Sequence, residues 1–471
     1  MAKLSKNFLL VFIIFLFIFL RLYRLHDSLF FFNDWGRDML VLLKWQQGGL
    51  PPLLGPLTSA LPFNQSAVYF YLLYPGFLLF HGHPVSSVFT CLLFYLLGFY
   101  FIKKVFKLNS PLLIIIFLFS IHPQLIIQNR FVWNPSFLPP LLLISIFSFY
   151  FLVKNYSSTH LFIFSSSITL AISLSYSAAP LLISFFIYWL LFSRKFIKRY
   201  LLSLFSGFLL FNLPTLVFEI RHSFFLTKQL LYQSPANQFN NNLISRLSSI
   251  ISNLFSTNNP GINWFIFILF IVIAFYFIWH QRFNRGLPFY FSFLFLTTLI
   301  ISLLLPITFH YQYIFPLLCL LVLVISSFPR FPKIILILFL SFIYLRPSVF
   351  QSYFKTPQRT YAQMDQCTKS FCQSFKEPIF VSTQASFHTF HNGPEHRYLL
   401  RKNGCQVKDI ETDNGQADFM LVVEDGSRLT PDINFYELDL FGKYQEYKYY
   451  PCTPQFNLRL IEKVNDPPTS N

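Results

Sequence analysis

Residues 1–350 hold four carboxylates: Asp27, Asp34, Asp38 and Glu219. An acid in so apolar a stretch is costly, and such residues usually carry function. The densest group is Phe32-Asn33-Asp34-Trp35-Gly36-Arg37-Asp38. Asp34 and Asp38 are four positions apart, so on a helix they share one face. Two carboxylates there repel unless Arg37 or a bound cation separates them. Such a pair suits a general base, because a neighbouring negative charge raises proton affinity. It equally suits a divalent ion, Mg2+ or Mn2+, held by Asp34 and Asp38. Helix capping by Asp34 and a plain Arg37–Asp38 ion pair account for the same residues.

A second group is Phe218-Glu219-Ile220-Arg221-His222, where an acid, a guanidinium and an imidazole stand within four positions. It reads as an acid/base site or phosphate clamp, or as a salt-bridged helix end. Arg130, in Asn129-Arg130-Phe131-Val132-Trp133-Asn134-Pro135, stands at a helix end. An anionic ligand or one of the scarce acids explains it. His310 and Tyr311 precede another apolar run and suit phosphate oxygens or sugar hydroxyls, or anchor an interface. Gly48-Gly49-Leu50-Pro51-Pro52-Leu53-Leu54-Gly55-Pro56 demands a turned loop. Asn64, Tyr69 and Tyr71 follow it and could wall a sugar pocket, or the stretch is a shaped connector.

The elements that must position these residues are apolar. Of 471 residues 54% are hydrophobic, 65 are Phe, and 12% are charged, against about a quarter in soluble proteins. Spanning helices, of roughly 20 apolar residues each, are expected at 7–25, 84–102, 109–127, 136–153, 159–177, 178–193, 200–218, 262–280, 287–306, 311–328 and 333–347. The run at 8–20 reads as the first span rather than a cleaved leader, since no small-residue cleavage site follows it. Basic residues tend to stay inside. Alternation from an inside N-terminus gathers Lys3, Lys6, Lys103, Lys104, Lys107, Lys154, Arg194, Lys195, Lys198, Arg199, Arg282, Arg285, Arg330 and Lys333 on one side. Loops 26–83, 128–135 and 219–261 and the tail from about 348 then face outward. The net charge of +17 is thus a topology signal, and nucleic acid is not an expected partner. The apolar stretch Ala67–Phe80 is short for a span and is expected to lie along the interface or dip partway in. The middle of the third outer loop, Gln233–Asn242, reads as flexible.

Residues 351–471 differ in kind. They hold fifteen of the 19 acidic residues. Segments 375–382, 418–423 and 456–461 read as strands, punctuated by Gly404, Gly415 and Gly426. A small α/β domain outside the membrane is expected, after a transmembrane domain at 1–350. Cys367, Cys372, Cys405 and Cys452 all fall in it. One or two disulfides are expected, with three pairings open and no zinc pattern. No Walker motif, dinucleotide fingerprint or metalloprotease motif is present.

Asp34-Trp35-Gly36-Arg37-Asp38, Gly49-Leu50-Pro51, Gly55-Pro56, Arg130–Pro135, and Leu213-Pro214 with Phe218–His222 together resemble the GT-C superfamily of membrane glycosyltransferases. The resembling branch contains protein O-mannosyltransferases, lipid A aminoarabinose transferase and rhizobial galacturonic acid transferases. The likeness covers about 7–350. It implies a GT-C fold, so the expected class is an all-α polytopic GT-C fold with about 11 transmembrane helices, as counted above, plus the small C-terminal α/β extracytoplasmic domain read from the tail's own residues, to which the likeness does not extend. It also implies an enzyme of the cytoplasmic (inner) membrane, N-terminus inside. A polyprenyl-phosphate sugar donor would pass its sugar to a lipid, glycan or protein acceptor with inversion. Asp34 would be the base. Arg130, Arg221, His222 and His310 would hold the donor phosphate. Arg37, Asn64, Tyr69 and Tyr311 would contact acceptor or sugar. Asp38 would orient Arg37 or help bind the acceptor or an ion, and Glu219 would fix Arg221 or His222. Many relatives carry Glu directly after the catalytic Asp; this chain has Trp35 there. A polyprenyl-linked glycan polymerase or ligase, and a lipid or sugar transporter, are the rival readings. A transporter normally places polar groups inside its spans, whereas here the unusual residues gather on one face.

Overall fold

A computed structural model describes residues 2–58, 64–106, 110–193, 197–232, 243–305, 310–385, 393–413, 415–429 and 436–464. The expected flexible stretch Gln233–Asn242 lies outside these residues, as do Lys107, Arg194 and Lys195. The chain forms two compact units. The first comprises Met1–Tyr23, Pro52–Leu73 and Ser87–Tyr353; the second comprises Arg24–Pro51, Tyr74–Ser86 and Phe354–Asn471. The second unit thus takes in two pieces of the first outer loop besides the expected tail.

The first unit is helical, with a helix at each apolar run. Among the described residues four helices are long and apolar enough to cross a membrane: Val85–Phe106, Asn134–Lys154, Pro260–His280 and Leu287–Leu304. Two bent pairs raise the number to six if each is one span: Pro111–Ile121 with Pro123–Arg130, bent by 66°, and Lys198–Phe211 with Leu213–Arg221, bent by 70°. The remaining apolar helices are shorter. The straight helices expected at 109–127 and 200–218 are therefore broken, each beside a proline. Proline lacks an N–H and pushes the residue before it out of the helical region. His122, just before Pro123, is extended at φ −67° and ψ 124°.

Strands β1 (Leu54–Leu57) and β2 (Asn64–Ser66) form a small antiparallel ribbon in the same unit. The stretch expected at the interface is a helix, Val68–Leu79, with Pro75 inside it.

The second unit is built on a four-stranded sheet. Its strands are β3 (Ile379–Ala385), β4 (Phe419–Asp425), β5 (Tyr444–Thr453) and β6 (Phe456–Lys463), in the order β3-β4-β6-β5. β3 and β4 are parallel and the other pairs antiparallel. A parallel pair needs a crossover, and helix Pro394–Lys402 lies within it. Three strands fall where apolar runs predict them. β5 was not expected: its sequence, YQEYKYYPCT, lies largely exposed at the sheet edge, so it carries no apolar stripe to read. Phe380, Met420, Val422 and Ile461 pack with Leu438 and Phe441 in the core under this sheet. Helix Tyr361–Ser374 starts at a capping box of Thr360 and Gln363. The cysteines pair as Cys367–Cys452 and Cys372–Cys405, which decides among the three pairings.

Candidate active site

Asp34 opens the helix Asp34–Gln46, called here the acidic helix. The residue in the cap position is Asn33, whose side chain makes no capping bond. The capping role open to Asp34 from sequence is therefore not the one it takes. Arg37 reaches back one turn: its Nη1 donates to Asp34 Oδ1 at 2.7 Å. Its Nη2 and Nε donate to Asp38 Oδ1 at 2.8 and 3.0 Å. One guanidinium thus separates the two carboxylates. Asp34 is 37% exposed, whereas Asp38 is fully buried. Asp34 is open to a reacting group; Asp38 holds Arg37 from below. A divalent ion shared by Asp34 and Asp38 does not fit this arrangement, because Arg37 already stands between them as the countercharge.

The backbone leading into this helix is unusual. Asn33 has φ 36° and ψ −103°, outside the regions favoured by side-chain-bearing residues. Such a conformation persists only when its surroundings hold it. Two buried groups do so. The Asn33 N–H donates to Glu395 Oε2 at 3.2 Å, and Arg359 Nη1 donates to the Phe31 carbonyl at 3.1 Å. Arg359 Nη2 donates to Glu395 Oε1 at 3.2 Å, and Arg359 Nε is paired with Asp425. His396 Nε2 lies 3.7 Å from Glu395 Oε1 and 3.8 Å from Asp425 Oδ2. Glu395 opens the crossover helix and Asp425 ends β4, so the cluster sits at the carboxyl edge of the parallel strand pair. Burial pushes the Glu395 carboxyl up to about 7, against the pull of Arg359. Burial also raises Asp425. Glu395, His396 and Asp425 are close enough to share a metal ion. The Arg359 guanidinium already takes the cationic place between the two carboxylates.

Sequence reasoning missed Arg359, Glu395, His396 and Asp425. Scarcity marks an acid in the apolar part of the chain. In the acid-rich tail it marks nothing. The available signal was Gly393-Pro394-Glu395-His396, a helix start with an acid and an imidazole side by side.

The remaining candidates lie in the first unit. Arg130 is buried, and its Nη1 donates to the carbonyls of Arg21 and Tyr23 at 2.9 and 3.0 Å. It closes the end of the first helix, which explains a cation against the charge rule. Arg21 is fully buried and donates to Asn129 Oδ1 and to the carbonyls of Phe17, Phe119 and Ser120. Glu219 is expected to fix Arg221 or His222; the hydrogen bonds it makes run to the next helix, and His222 acts on it electrostatically. Its carboxylate accepts the Leu226 and Thr227 N–H groups at 2.9 and 3.0 Å and the Thr227 hydroxyl at 2.5 Å. It caps the next helix, Phe225–Tyr232. His222 stacks on Phe218 with centroids 4.0 Å apart, and its Nδ1 lies 2.9 Å from the Phe218 carbonyl. His222 and Arg221 are exposed.

Asn64 donates to the Gly55 carbonyl at 2.8 Å and ties the β1–β2 ribbon together. Tyr69 is fully buried near Phe137, so it faces packing rather than a pocket. Gln65 accepts from Asn134, which also donates to the Leu174 carbonyl. The ribbon and the Arg130–Pro135 stretch are thus bound to each other. Tyr311 is exposed and lies 5.3 Å from the Trp133 ring. His310 precedes the short 3-10 turn Tyr311–Ile314.

Neither a scan against protein-family models nor a search of curated proteins returns a match. Solved structures do match. ArnT from Cupriavidus metallidurans, bound to undecaprenyl phosphate, is similar at TM-score 0.60 and 12% identity, over 96% of this chain and 98% of that one. The mycobacterial arabinofuranosyltransferase AftD is similar at TM-score 0.50 and 11% identity, over 99% of this chain but 40% of its own length. The chain is a multi-pass membrane protein with the GT-C fold, the architecture of both of these membrane glycosyltransferases.

Proposed function

We propose that this protein is a glycosyltransferase that moves a sugar from a polyprenyl-phosphate donor to an acceptor hydroxyl at the outer face of the cytoplasmic membrane. About eleven helical segments cross the membrane in this reading, with the N-terminus inside and the segment from 351 outside. The observation that carries it is the Asp34–Arg37–Asp38 arrangement: an accessible carboxylate, pinned through one guanidinium to a buried one, in a chain of this fold.

Asp34 takes the proton from the acceptor hydroxyl as its oxygen attacks the anomeric carbon. The bond from that carbon to the phosphate oxygen breaks on the opposite side, and the configuration inverts. The leaving group departs as polyprenyl phosphate, already anionic, so no strong general acid is required. Arg37 keeps Asp34 aimed and stays paired with Asp38 once Asp34 is protonated. Charge is therefore kept in a partly enclosed place, where electrostatic support is worth most.

The test is release of carrier phosphate from a panel of polyprenyl-phosphate sugars by the protein in native membranes, with Asp34→Asn beside it. General-base catalysis is worth about 10²–10⁴-fold, and a loss of that size is expected in the variant. Equal release by both proteins would remove Asp34 from the mechanism.

A further inference from the structure

We propose that Glu395 and Arg359, in the C-terminal part of the chain, are positioning residues for Asp34: together they lock the Phe31–Asn33 backbone from which the acidic helix starts. The inference rests on the reading of Asp34 as the base, and it gives the C-terminal segment a role in the chemistry.

Three independent contacts carry it. Glu395 Oε2 accepts the N–H of Asn33, the residue directly before Asp34. Arg359 donates to the carbonyl of Phe31, two residues further back, and to Glu395 itself. Gly36, on the first turn of the acidic helix, meets the Glu395 backbone so closely that a β-carbon would lie 2.4 Å from its N and Cα. One residue thus touches the Asp34 segment from both sides of Asp34. Asn33 sits in a conformation that needs such support. Released, it relaxes, and the first turn of the helix moves with it.

The link is sensitive to protonation. Facing the Glu395 carboxyl are Arg359, ahead of helix Tyr361–Ser374; Asp425, at the end of β4; and His396, on the same helix. From the acidic helix it meets the Asn33 N–H and the Gly36 backbone. An ionised carboxylate offers an acceptor oxygen to each of Asn33 and Arg359. A protonated one gives up a full acceptor and cannot serve both equally. A cleft of about 510 Å³, lined by Ser28, Phe30, Lys355, Pro357, Arg359 and Asp425, opens beside the cluster. The carboxyl titrates near 7, so the lock tightens as pH rises through neutrality.

The experiment uses the full-length protein in native membranes. The parent, Glu395→Gln, Gly36→Ala and Asp34→Asn are assayed for kcat and KM between pH 5.5 and 8.5. Amide hydrogen exchange over residues 29–38, corrected for intrinsic rates, is read on the same samples. Glu395→Gln is expected to lower kcat about 100-fold, the scale of a displaced catalytic group, with donor KM nearly unchanged. It should also erase the rise in kcat near pH 7 and speed exchange at Asn33. Gly36→Ala should lower kcat but keep that rise. If both variants fail to fold, exchange in the parent alone still decides: protection at Asn33 must increase through pH 7. Parental kcat in Glu395→Gln with Asp34→Asn inactive, or protection that ignores pH, overturns the positioning role alone. Full activity in Asp34→Asn overturns the base assignment and this inference with it.

Discussion

Gly36 and Glu395 lie backbone against backbone, 359 positions apart in sequence, with no room for a side chain on the glycine. Two effects oppose each other in Gly36→Ala. Alanine favours a helix by up to about 1 kcal/mol over glycine. Overpacking against well-ordered atoms costs about 1–3 kcal/mol, and here the neighbour is main chain, which cannot swing aside. The overlap wins, so the variant is expected to melt at a lower temperature than the parent. An unchanged or raised midpoint in a thermal scan would refute the close contact.

Stability should depend on pH through Glu395. Its carboxyl titrates near 7 in the fold and near 4.5 in the unfolded chain. The folded state therefore binds more protons between these values, and stability falls as pH rises. The contribution is complete below about 4.5 and lost by the time pH passes 7. It is on the order of 3 kcal/mol at 1.36 kcal/mol per pH unit. Asp425 is raised by burial and acts in the same direction. Denaturation midpoints from pH 5 to 8 should decline in the parent and flatten in Glu395→Gln. Ionisation thus weakens the fold over the same range in which it strengthens the hold on Asn33.

The two disulfides close loops of different length, with separations of 85 residues for Cys367–Cys452 and 33 for Cys372–Cys405. Loop-closure entropy makes the longer link worth slightly more, both in the range of about 2–4 kcal/mol. Replacing Cys367 and Cys452 together by Ser should lower the midpoint at least as much as replacing Cys372 and Cys405. Cys91 and Cys319 are buried free thiols. A membrane-impermeant maleimide should label the native protein only after reduction, and peptide mapping should find the label on the four tail cysteines alone.

Glu219 and Arg221 act together in the phosphate-clamp reading, whereas the Glu219 carboxylate accepts the Leu226 and Thr227 N–H groups in the structure. Glu219→Gln removes one acceptor from a helix start and should cost about 1 kcal/mol, leaving the pH–rate profile of the surviving enzyme as it was. Arg221 is exposed. Arg221→Gln should leave the midpoint within about 0.5 kcal/mol of the parent while weakening binding of polyprenyl phosphate. A binding titration of both variants separates the roles. Equal loss of phosphate affinity in the two would restore the clamp.

The amino-acid sequence determined whatever depends on neighbours along the chain. Long apolar runs place helices, because backbone groups in lipid must be satisfied within the segment. A carboxylate at 34 and another at 38 share a helix face for the same local reason, and Arg37 falls between them. Three of the four sheet strands announced themselves by apolar runs; β5, exposed at the edge, had none to show. The tertiary structure decided everything that depends on which distant segments meet. Arg130 reads as a partner for an anionic ligand or a scarce acid, and Glu219 as an acid/base site, a phosphate clamp or a salt-bridged helix end; the carbonyls brought to Arg130 and the N–H groups brought to Glu219 come from the fold. The cysteine pairing needed helix Tyr361–Ser374 to pack beside β5 and beside the end of the crossover helix. The tie between Asn33 and Glu395 needed the crossover helix to land on Gly36. Burial then made an ordinary glutamate, in a segment full of acids, a group that titrates near neutrality: desolvation belongs to the folded surroundings and is written in no single stretch of residues.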